Sequence, residues 1–264
     1  MAQIRQLVEL MDQKWAGFRP KDIPVMPKHV LARDWQVSGI LAGLNRETVK
    51  PAVCDLKQRQ FLMISSAGSA QGKQLLCALT AQAAKQFPQK TLALYDPGEE
   101  ILAKFKPLAG EYFNSADAFD RYIAGLMPVL QKRKESQGTE EGRQWLAEQP
   151  EILIVISDHK RCHDAVSSDT MRRLSNIIHL GAGLKVCLLI LSNAEERSGL
   201  SLDMFCTNLN NKADILMVDG SFRSHGYYDS QLDYNQSSEE LPEGDAWLLM
   251  DGQAQRIKFV EFEA

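Results

Sequence analysis

The fold is decided by residues 61–74, which read Phe61-Leu62-Met63-Ile64-Ser65-Ser66-Ala67-Gly68-Ser69-Ala70-Gln71-Gly72-Lys73-Gln74. Four consecutive apolar residues predict a buried strand, and the small residues that follow predict a tight turn. Beyond the turn, apolar residues recur at helical spacing, at Leu75, Leu76, Leu79 and Ala83. The segment therefore predicts a strand, a turn and a helix in that order.

Residues 67–74 align with the phosphate-loop pattern G-x-x-x-x-G-K-[ST], in which backbone amides and a lysine bind phosphate and a hydroxyl binds magnesium. Gly72 and Lys73 match this pattern, whereas Ala67 replaces the first glycine and Gln74 replaces the hydroxyl residue. The alternative is an ordinary glycine-rich turn between a strand and a helix. The candidate nucleotide-binding residues are Gly68, Ser69, Ala70, Gln71, Gly72, Lys73 and Gln74.

Further apolar runs predict strands at residues 91–95, 152–156, 186–191 and 213–218, and residues 116–134 predict a long helix. Continuous aliphatic strands separated by helices are typical of a parallel sheet that is covered on both faces. We therefore predict an α/β fold with a mostly parallel sheet flanked by helices.

Two hairpins are predicted on either side of this pattern. Residues 37–56 read as a strand, a polar turn and a second strand. Near the C-terminus, Asp251-Gly252 lies between two short apolar runs, which is a strong signal for a β-hairpin.

The N-terminal residues form a separate prediction. Residues 3–16 carry apolar side chains at helical spacing, and Pro20, Pro24 and Pro27 then predict an extended connector. We expect an N-terminal helix and Pro-rich connector at residues 1–36, followed by one domain at residues 37–264.

The second half of a phosphate-loop site is an aliphatic strand that ends in an acid for the metal, commonly followed by an acid that orients water. The strand at 152–156 is followed by Ser157, Asp158 and His159. In one register Ser157 replaces the metal acid and Asp158 keeps the second position. In the other register Asp158 is the metal acid and His159 stands where the second acid should be. Ser157 and Asp158 are therefore the candidate metal residues.

Asp158 is also a candidate catalytic residue, together with Asn193, which follows the predicted strand at 186–191 and would sense the bound phosphate. Both residues have a simpler interpretation. Asp158 could cap the turn between a strand and a helix, and Asn193 could only begin a loop.

Composition limits the possible functions. The 264 residues carry 30 Lys and Arg against 34 Asp and Glu, a formal net charge of -4, and 44% of them are hydrophobic. This composition is that of a globular protein, and no apolar run approaches the ~18 residues of a membrane span. Five well-separated cysteines favour free thiols in a reducing compartment, so we expect a cytoplasmic location. The acidic balance disfavours broad nucleic-acid binding, and we expect no nucleic-acid partner.

The order of these motifs resembles the FtsK/SpoIIIE-like ATPases and, more narrowly, the last ATPase module of the EssC/EccC-type ATPases of type VII secretion systems. The segments that carry the resemblance are Pro24-Val25-Met26-Pro27, Gly43-Leu44-Asn45, Val53-Cys54-Asp55-Leu56, the loop from Ala67 to Gln74, the strand from Ile152 to Asp158, and Leu188 to Asn193. The resemblance spans about residue 20 to the C-terminus, and its strength lies in the order of short motifs.

The resemblance implies a RecA-like P-loop NTPase domain, the C-terminal one of three in tandem, in the cytoplasmic part of a membrane-anchored protein. Its implied ligands are ATP and Mg2+. Its implied partners are the adjacent ATPase modules, small helical WXG100-type secreted substrates and membrane components of the secretion machinery. Later modules of this family often have degenerate nucleotide sites, and the departures at Ala67, Gln74 and Ser157 agree with that.

Three functional hypotheses follow. The leading one is a degenerate P-loop ATPase module with weak or lost ATP and Mg2+ binding and a role in substrate recognition and regulation. The second is an active ATPase that uses Lys73, Asp158 and Asn193, with an arginine finger from a neighbouring module. The third is a DNA-translocating module, which the net charge of -4 disfavours.

Overall fold

The computed structural model describes residues 2–15, 24–68, 70–181, 183–200, 203–227, 229 and 231–263. Within these residues the chain forms ten α-helices and ten β-strands. The helices are α1 Ala2–Trp15, α2 Leu56–Arg59, α3 Ala70–Gln86, α4 Ala116–Ser136, α5 Glu140–Glu148, α6 His159–Ala165, α7 Ser168–Leu180, α8 Ala194–Ser198, α9 Met204–Lys212 and α10 Tyr234–Ser238. The strands are β1 Ile40–Asn45, β2 Pro51–Cys54, β3 Phe61–Ser66, β4 Leu92–Tyr95, β5 Glu111–Phe113, β6 Ile152–Ile156, β7 Val186–Asn193, β8 Asp214–Val218, β9 Asp245–Met250 and β10 Gln253–Phe259.

These strands form a single sheet in the order β2-β1-β10-β9-β8-β3-β7-β6-β4-β5. The strands from β8 to β5 pair in parallel. The remaining strands, β9, β10, β1 and β2, pair antiparallel, and we call them the antiparallel wing. The predicted α/β fold with a mostly parallel sheet flanked by helices is confirmed.

The central strand β3 shows why both faces of the sheet are covered. Its side chains alternate between the two faces, as in any strand. Leu62 and Ile64 pack into the core beneath α3, whereas Phe61 and Met63 pack into the core beneath α4, α7 and α9. A strand that is apolar on both faces is stable only between two layers of helices.

Both predicted hairpins are present, β1 with β2 and β9 with β10, and the Asp251-Gly252 pair forms the turn of the second. The sequence does not predict that they join each other. β1 pairs with β10, with Gly43 opposite Phe259. Gly43 permits this close approach, because a Cβ there would lie 2.2 Å from the carbonyl oxygen of Lys258.

The predicted N-terminal helix is present as α1, and its apolar side chains Ile4, Leu7 and Val8 are exposed. Pro20 lies outside the described residues. Farther along the connector, Val30 is fully buried and its carbonyl accepts a hydrogen bond from the Glu261 amide at 2.8 Å. Among the described residues, no helix has the length and apolar character needed to cross a membrane.

The carboxyl ends of the parallel strands β3, β4, β6, β7 and β8 lie at the same edge of the sheet, which we call the carboxyl edge. Each strand ends there in a polar residue or is followed by one: Ser66, Asp96, Ser157, Asn193 and Asp219. Ligands of open α/β sheets bind at this edge.

Candidate nucleotide site

The turn that replaces a phosphate loop is short. β3 extends to Ser66 and α3 begins at Ala70, so the turn consists of residues 67–69, of which Ser69 lies outside the described residues. The Ala67 amide donates to the Val218 carbonyl at 3.2 Å, which continues the ladder between β3 and β8. This amide is therefore directed into the sheet and is not available to a phosphate.

Gly72 lies inside the first turns of α3, where its role is explained by packing. A Cβ at this position would lie 2.8 Å from the Ser66 side chain and 2.9 Å from the Leu191 side chain. A glycine is thus required for α3 to approach the sheet this closely. Two other predicted residues of the loop, Ala70 and Gln74, are exposed on α3.

Lys73 forms an ion pair with Glu99, whose Oε2 atom lies 2.5 Å from the lysine Nζ. This hydrogen bond lowers the pKa of Glu99, so the carboxylate stays charged. Arg161 of α6 approaches the other oxygen of Glu99 at 3.5 Å. Gly98, with φ at +105°, makes room for this contact, since a Cβ there would lie 1.9 Å from the Arg161 guanidinium.

Glu99 was not predicted as a site residue, although the sequence carries a signal for it. The run Asp96-Pro97-Gly98-Glu99 directly follows the apolar strand β4. Its two acidic residues are therefore expected at the carboxyl edge of the sheet. Asp96 is fully buried and accepts hydrogen bonds from the Leu102 amide at 2.7 Å and the Tyr112 hydroxyl at 3.2 Å.

A second unpredicted carboxylate, Asp219, faces the turn. Its Oδ2 atom lies 3.2 Å from the position that a Cβ on Gly68 would take. Gln71 of the predicted loop donates its side-chain amide to Asp219 and accepts a hydrogen bond from the Gly244 amide at 2.9 Å. The turn thus faces a negative charge where a phosphate loop would bind an anion.

The predicted metal and catalytic residues lie around the same cleft, and their polar atoms bond to the protein itself. Ser157 donates its hydroxyl to Asp96 Oδ1 at 2.6 Å. Asp158 caps α6 by accepting a hydrogen bond from the Arg161 amide at 2.9 Å. Asn193 caps α8 in the same manner, accepting from the amides of Glu195 at 2.9 Å and Glu196 at 3.1 Å.

His159 stands where one register of the motif requires the water-orienting acid, but it points away from the cleft into the core. It is buried, its Nδ1 atom lies 3.1 Å from the Ser192 hydroxyl, and its ring packs edge-on against Phe205. Burial lowers the pKa of His159 to about 4. The ring is therefore neutral near pH 7, and among the described residues its Nε2 atom has no hydrogen-bond partner.

The cleft that these residues enclose does not fit a magnesium-bound triphosphate in this arrangement. Its volume is about 180 Å³, below the ~300–1,000 Å³ of ordinary ligand pockets. Glu99 is ion-paired with Lys73, and the Asp219 carboxylate faces the turn. Gln74 has no hydroxyl group that could bind a metal ion. Within the part of the chain that the structure describes, no cluster of three or more His, Cys, Asp or Glu side chains could hold a metal ion.

No family model matches the sequence, and no curated protein matches it either. Solved structures do match in fold. EssC from Geobacillus thermodenitrificans, containing ATPases 2 and 3, matches with a TM-score of 0.77 and 18% identity over 99% of this chain and 50% of that one. A structure described as the cytoplasmic domain of EssC matches with a TM-score of 0.78 and 18% identity, over 99% of this chain and 53% of that one.

A third match is Thermomonospora curvata EccC, comprising ATPases 2 and 3 in complex with a signal sequence peptide. Its TM-score is 0.70 and its identity 15%, over 91% of this chain and 44% of that one. The chain thus spans about half the length of these proteins. At this level of identity the likeness is one of fold: the chain shares the fold of the EssC and EccC ATPase domains.

Proposed function

We propose that this chain is a degenerate P-loop ATPase module of a type VII protein secretion motor, which binds ATP weakly and serves in substrate recognition and regulation. Its fold and the order of its motifs support this assignment. The module would be the C-terminal one of a tandem array, in the cytoplasmic part of a membrane-anchored protein.

The observation that carries the proposal is the ion pair between Lys73 and Glu99. In an active phosphate loop this lysine binds the outer phosphates. Here a triphosphate must displace Glu99 first, and it finds no hydroxyl at Gln74 for its magnesium ion. Both differences weaken ATP binding relative to an intact site. We propose that Asp158 and Asn193 act mainly as helix caps and contribute little to turnover.

The proposed partners are adjacent ATPase modules, WXG100-type substrates and membrane components of the machinery. The matching EssC structure contains two ATPase domains, and the matching EccC structure carries a signal sequence peptide. In this chain the helix α1 exposes the apolar side chains Ile4, Leu7 and Leu10. An exposed apolar helix face of this kind suits contact with a neighbouring module.

Calorimetric titration with MgATP tests the nucleotide part of the proposal. We expect weak binding by the wild type, loss of that binding in Lys73→Ala, and binding several-fold tighter in Glu99→Gln, because glutamine cannot neutralise Lys73. Lys50→Ala removes an exposed lysine outside the cleft and serves as the matched control. Tight binding by the wild type that Glu99→Gln leaves unchanged would contradict the proposal.

The recognition part is tested with a fluorescent peptide that carries the signal sequence of a WXG100-type protein. We expect the wild type and Lys73→Ala to bind it with equal affinity, since docking would not use the nucleotide site. If the peptide does not bind, or if the wild type hydrolyses ATP at a rate that Lys73→Ala abolishes, the active ATPase becomes the better assignment.

A further inference from the structure

The chain leaves β8 through a turn with an unusual backbone. Asp219 and Gly220 both adopt left-handed conformations, with φ at +62° and +64°. This conformation is uncommon for residues other than glycine, although aspartate and asparagine tolerate it. The turn brings Gly220 so close to the motif that a Cβ on it would lie 3.0 Å from the Cβ of Ala67.

The turn places the Asp219 carboxylate against the predicted phosphate loop. Its Oδ2 atom lies 2.8 Å from the Ser66 hydroxyl, which can donate its single proton either to Asp219 or to the Gly68 carbonyl. Its Oδ1 atom accepts a hydrogen bond from the Gln71 side chain. The carboxylate thus bonds to β3 and to α3 on either side of the turn, and it carries the same sign of charge as a phosphate.

A buried histidine holds the backbone of this turn in place. The Nε2 atom of His225 lies 2.8 Å from the Asp219 carbonyl oxygen, and its Nδ1 atom lies 2.8 Å from the Ser65 hydroxyl. A neutral ring satisfies both contacts if Nε2 donates to the carbonyl and Nδ1 accepts from the hydroxyl. On the other side, the Leu241 amide donates to the Gly220 carbonyl at 2.9 Å. The carboxylate is therefore held in position by contacts on both sides of the turn.

We propose that Asp219 acts as an intramolecular anion that closes the phosphate loop against the phosphate groups of a nucleotide. This inference rests on the proposed function and assigns a regulatory element to the same site. It differs from the role of Glu99, which neutralises the lysine of the motif. Asp219 engages the loop itself, so that an incoming phosphate must displace it even when Lys73 is free.

The test compares two aspartates with the same backbone. Asp251 and Gly252 repeat the Asp-Gly pair with φ at +52° and +72°, but in the turn between β9 and β10, where Asp251 pairs with Arg59. Binding of inorganic tripolyphosphate is measured calorimetrically at low ionic strength for the wild type, Asp219→Asn and Asp251→Asn. Asparagine suits the left-handed backbone, so both variants should keep the wild-type fold, and thermal unfolding verifies this.

We expect Asp219→Asn to bind tripolyphosphate about 10-fold more tightly than the wild type, because one negative charge beside the anion is removed. Asp251→Asn should bind tripolyphosphate as the wild type does. Added salt should reduce the gain in affinity of Asp219→Asn. Gln71→Ala, which removes one partner of the carboxylate without changing the turn, should give a smaller gain in the same direction.

Equal affinity of Asp219→Asn and the wild type overturns the proposal, and so does the absence of binding in both. Neither result affects the proposed function, which concerns the wild type with MgATP and the signal peptide. Conversely, tight MgATP binding by the wild type would overturn the proposed function. The ratio of the tripolyphosphate affinities of Asp219→Asn and the wild type would still decide the role of Asp219.

Discussion

The antiparallel wing and the carboxyl edge both contain buried polar side chains, but these are satisfied in different ways. In the wing, the buried carboxylate of Asp245 lies between two arginines, 2.9 Å from Nε of Arg46 and 3.1 Å from Nε of Arg256. At the carboxyl edge, buried Asp96 is held by two hydroxyls and an amide and, among the described residues, by no cation. The cations of that edge, Lys73 among them, remain partly exposed in the cleft.

The difference shows which charges a ligand can reach. The charges of the wing neutralise one another and stabilise the fold. Those of the carboxyl edge are paired in a cleft that opens to solvent, so a competing anion can exchange with Glu99. The two regions should therefore respond differently to acid and to substitution.

Acid should have the largest effect, and it should act at the carboxyl edge first. Burial lowers the pKa of both His159 and His225 to about 4, whereas an unfolded histidine titrates near 6.5. The unfolded chain therefore binds more protons below pH 6.5, and the free energy of unfolding falls as the pH drops toward 4. We expect a loss of about 2 kcal/mol per histidine between pH 7 and 4.5, measured by urea denaturation.

The charged and titratable groups around these rings are His163, Arg197 and Asp203 near His159, and Arg197 and Asp219 near His225. The matched control is His29→Gln, which replaces an exposed histidine that pairs with Glu261 at the surface. At pH 5, the backbone amides of residues 219–227 should exchange their hydrogens faster than those of the antiparallel wing. A stability that is constant from pH 7 to 4.5 would contradict this prediction.

Asp245→Ala should give the next largest effect, in the wing. Removing one partner of a fully buried ion pair costs about 3–5 kcal/mol. Arg46 and Arg256 are 32% and 27% exposed and can recover some hydration, so we expect a loss of about 2 kcal/mol. Glu239→Ala, which removes only the exposed partner of Arg256, should cost less than about 0.5 kcal/mol in the same denaturation experiment. Equal losses of stability in Asp245→Ala and Glu239→Ala would show that the stability of the wing does not depend on its buried carboxylate.

Ser157→Ala should have the smallest effect and distinguishes two interpretations of this residue. If its hydroxyl serves only to hold buried Asp96, its loss should cost about 1 kcal/mol of stability and leave MgATP affinity unchanged. Ser198→Ala, which removes an exposed hydroxyl bonded to the Glu195 carbonyl, is the control and should be nearly neutral. A marked loss of MgATP affinity in Ser157→Ala would instead support the prediction that Ser157 is a metal residue.

The parallel part of the sheet could be predicted from sequence because each of its main strands is a continuous aliphatic run. The prediction at 152–156 coincides with β6, and that at 186–191 differs from β7 only at its polar end. β5 was missed because it has three residues and no fully buried side chain. The pairing of β1 with β10 was missed as well, since no local pattern encodes a partner so distant in the chain.

The candidate site could be located from sequence but its contacts could not. The phosphate-loop alignment identified Lys73, yet the partner of Lys73 depends on a turn at Gly98 with a left-handed backbone. Asp219 lies directly after a predicted strand, but its approach to Gly68 depends on how β8 aligns with β3. The roles of Asp158 and Asn193 in catalysis remain predictions, and the helix caps weighed as the alternative at Asp158 are observed at both residues.

The pairing of β1 with β10 also has a consequence for how the chain folds. Gly43 lies opposite Phe259, about 200 residues later, and such distant contacts slow folding. During synthesis the hairpin of β1 and β2 emerges before β10, the strand that connects it to the rest of the sheet. Until then β1 and β8 would each present an unpaired edge, the kind of surface that associates with other chains and that chaperones protect.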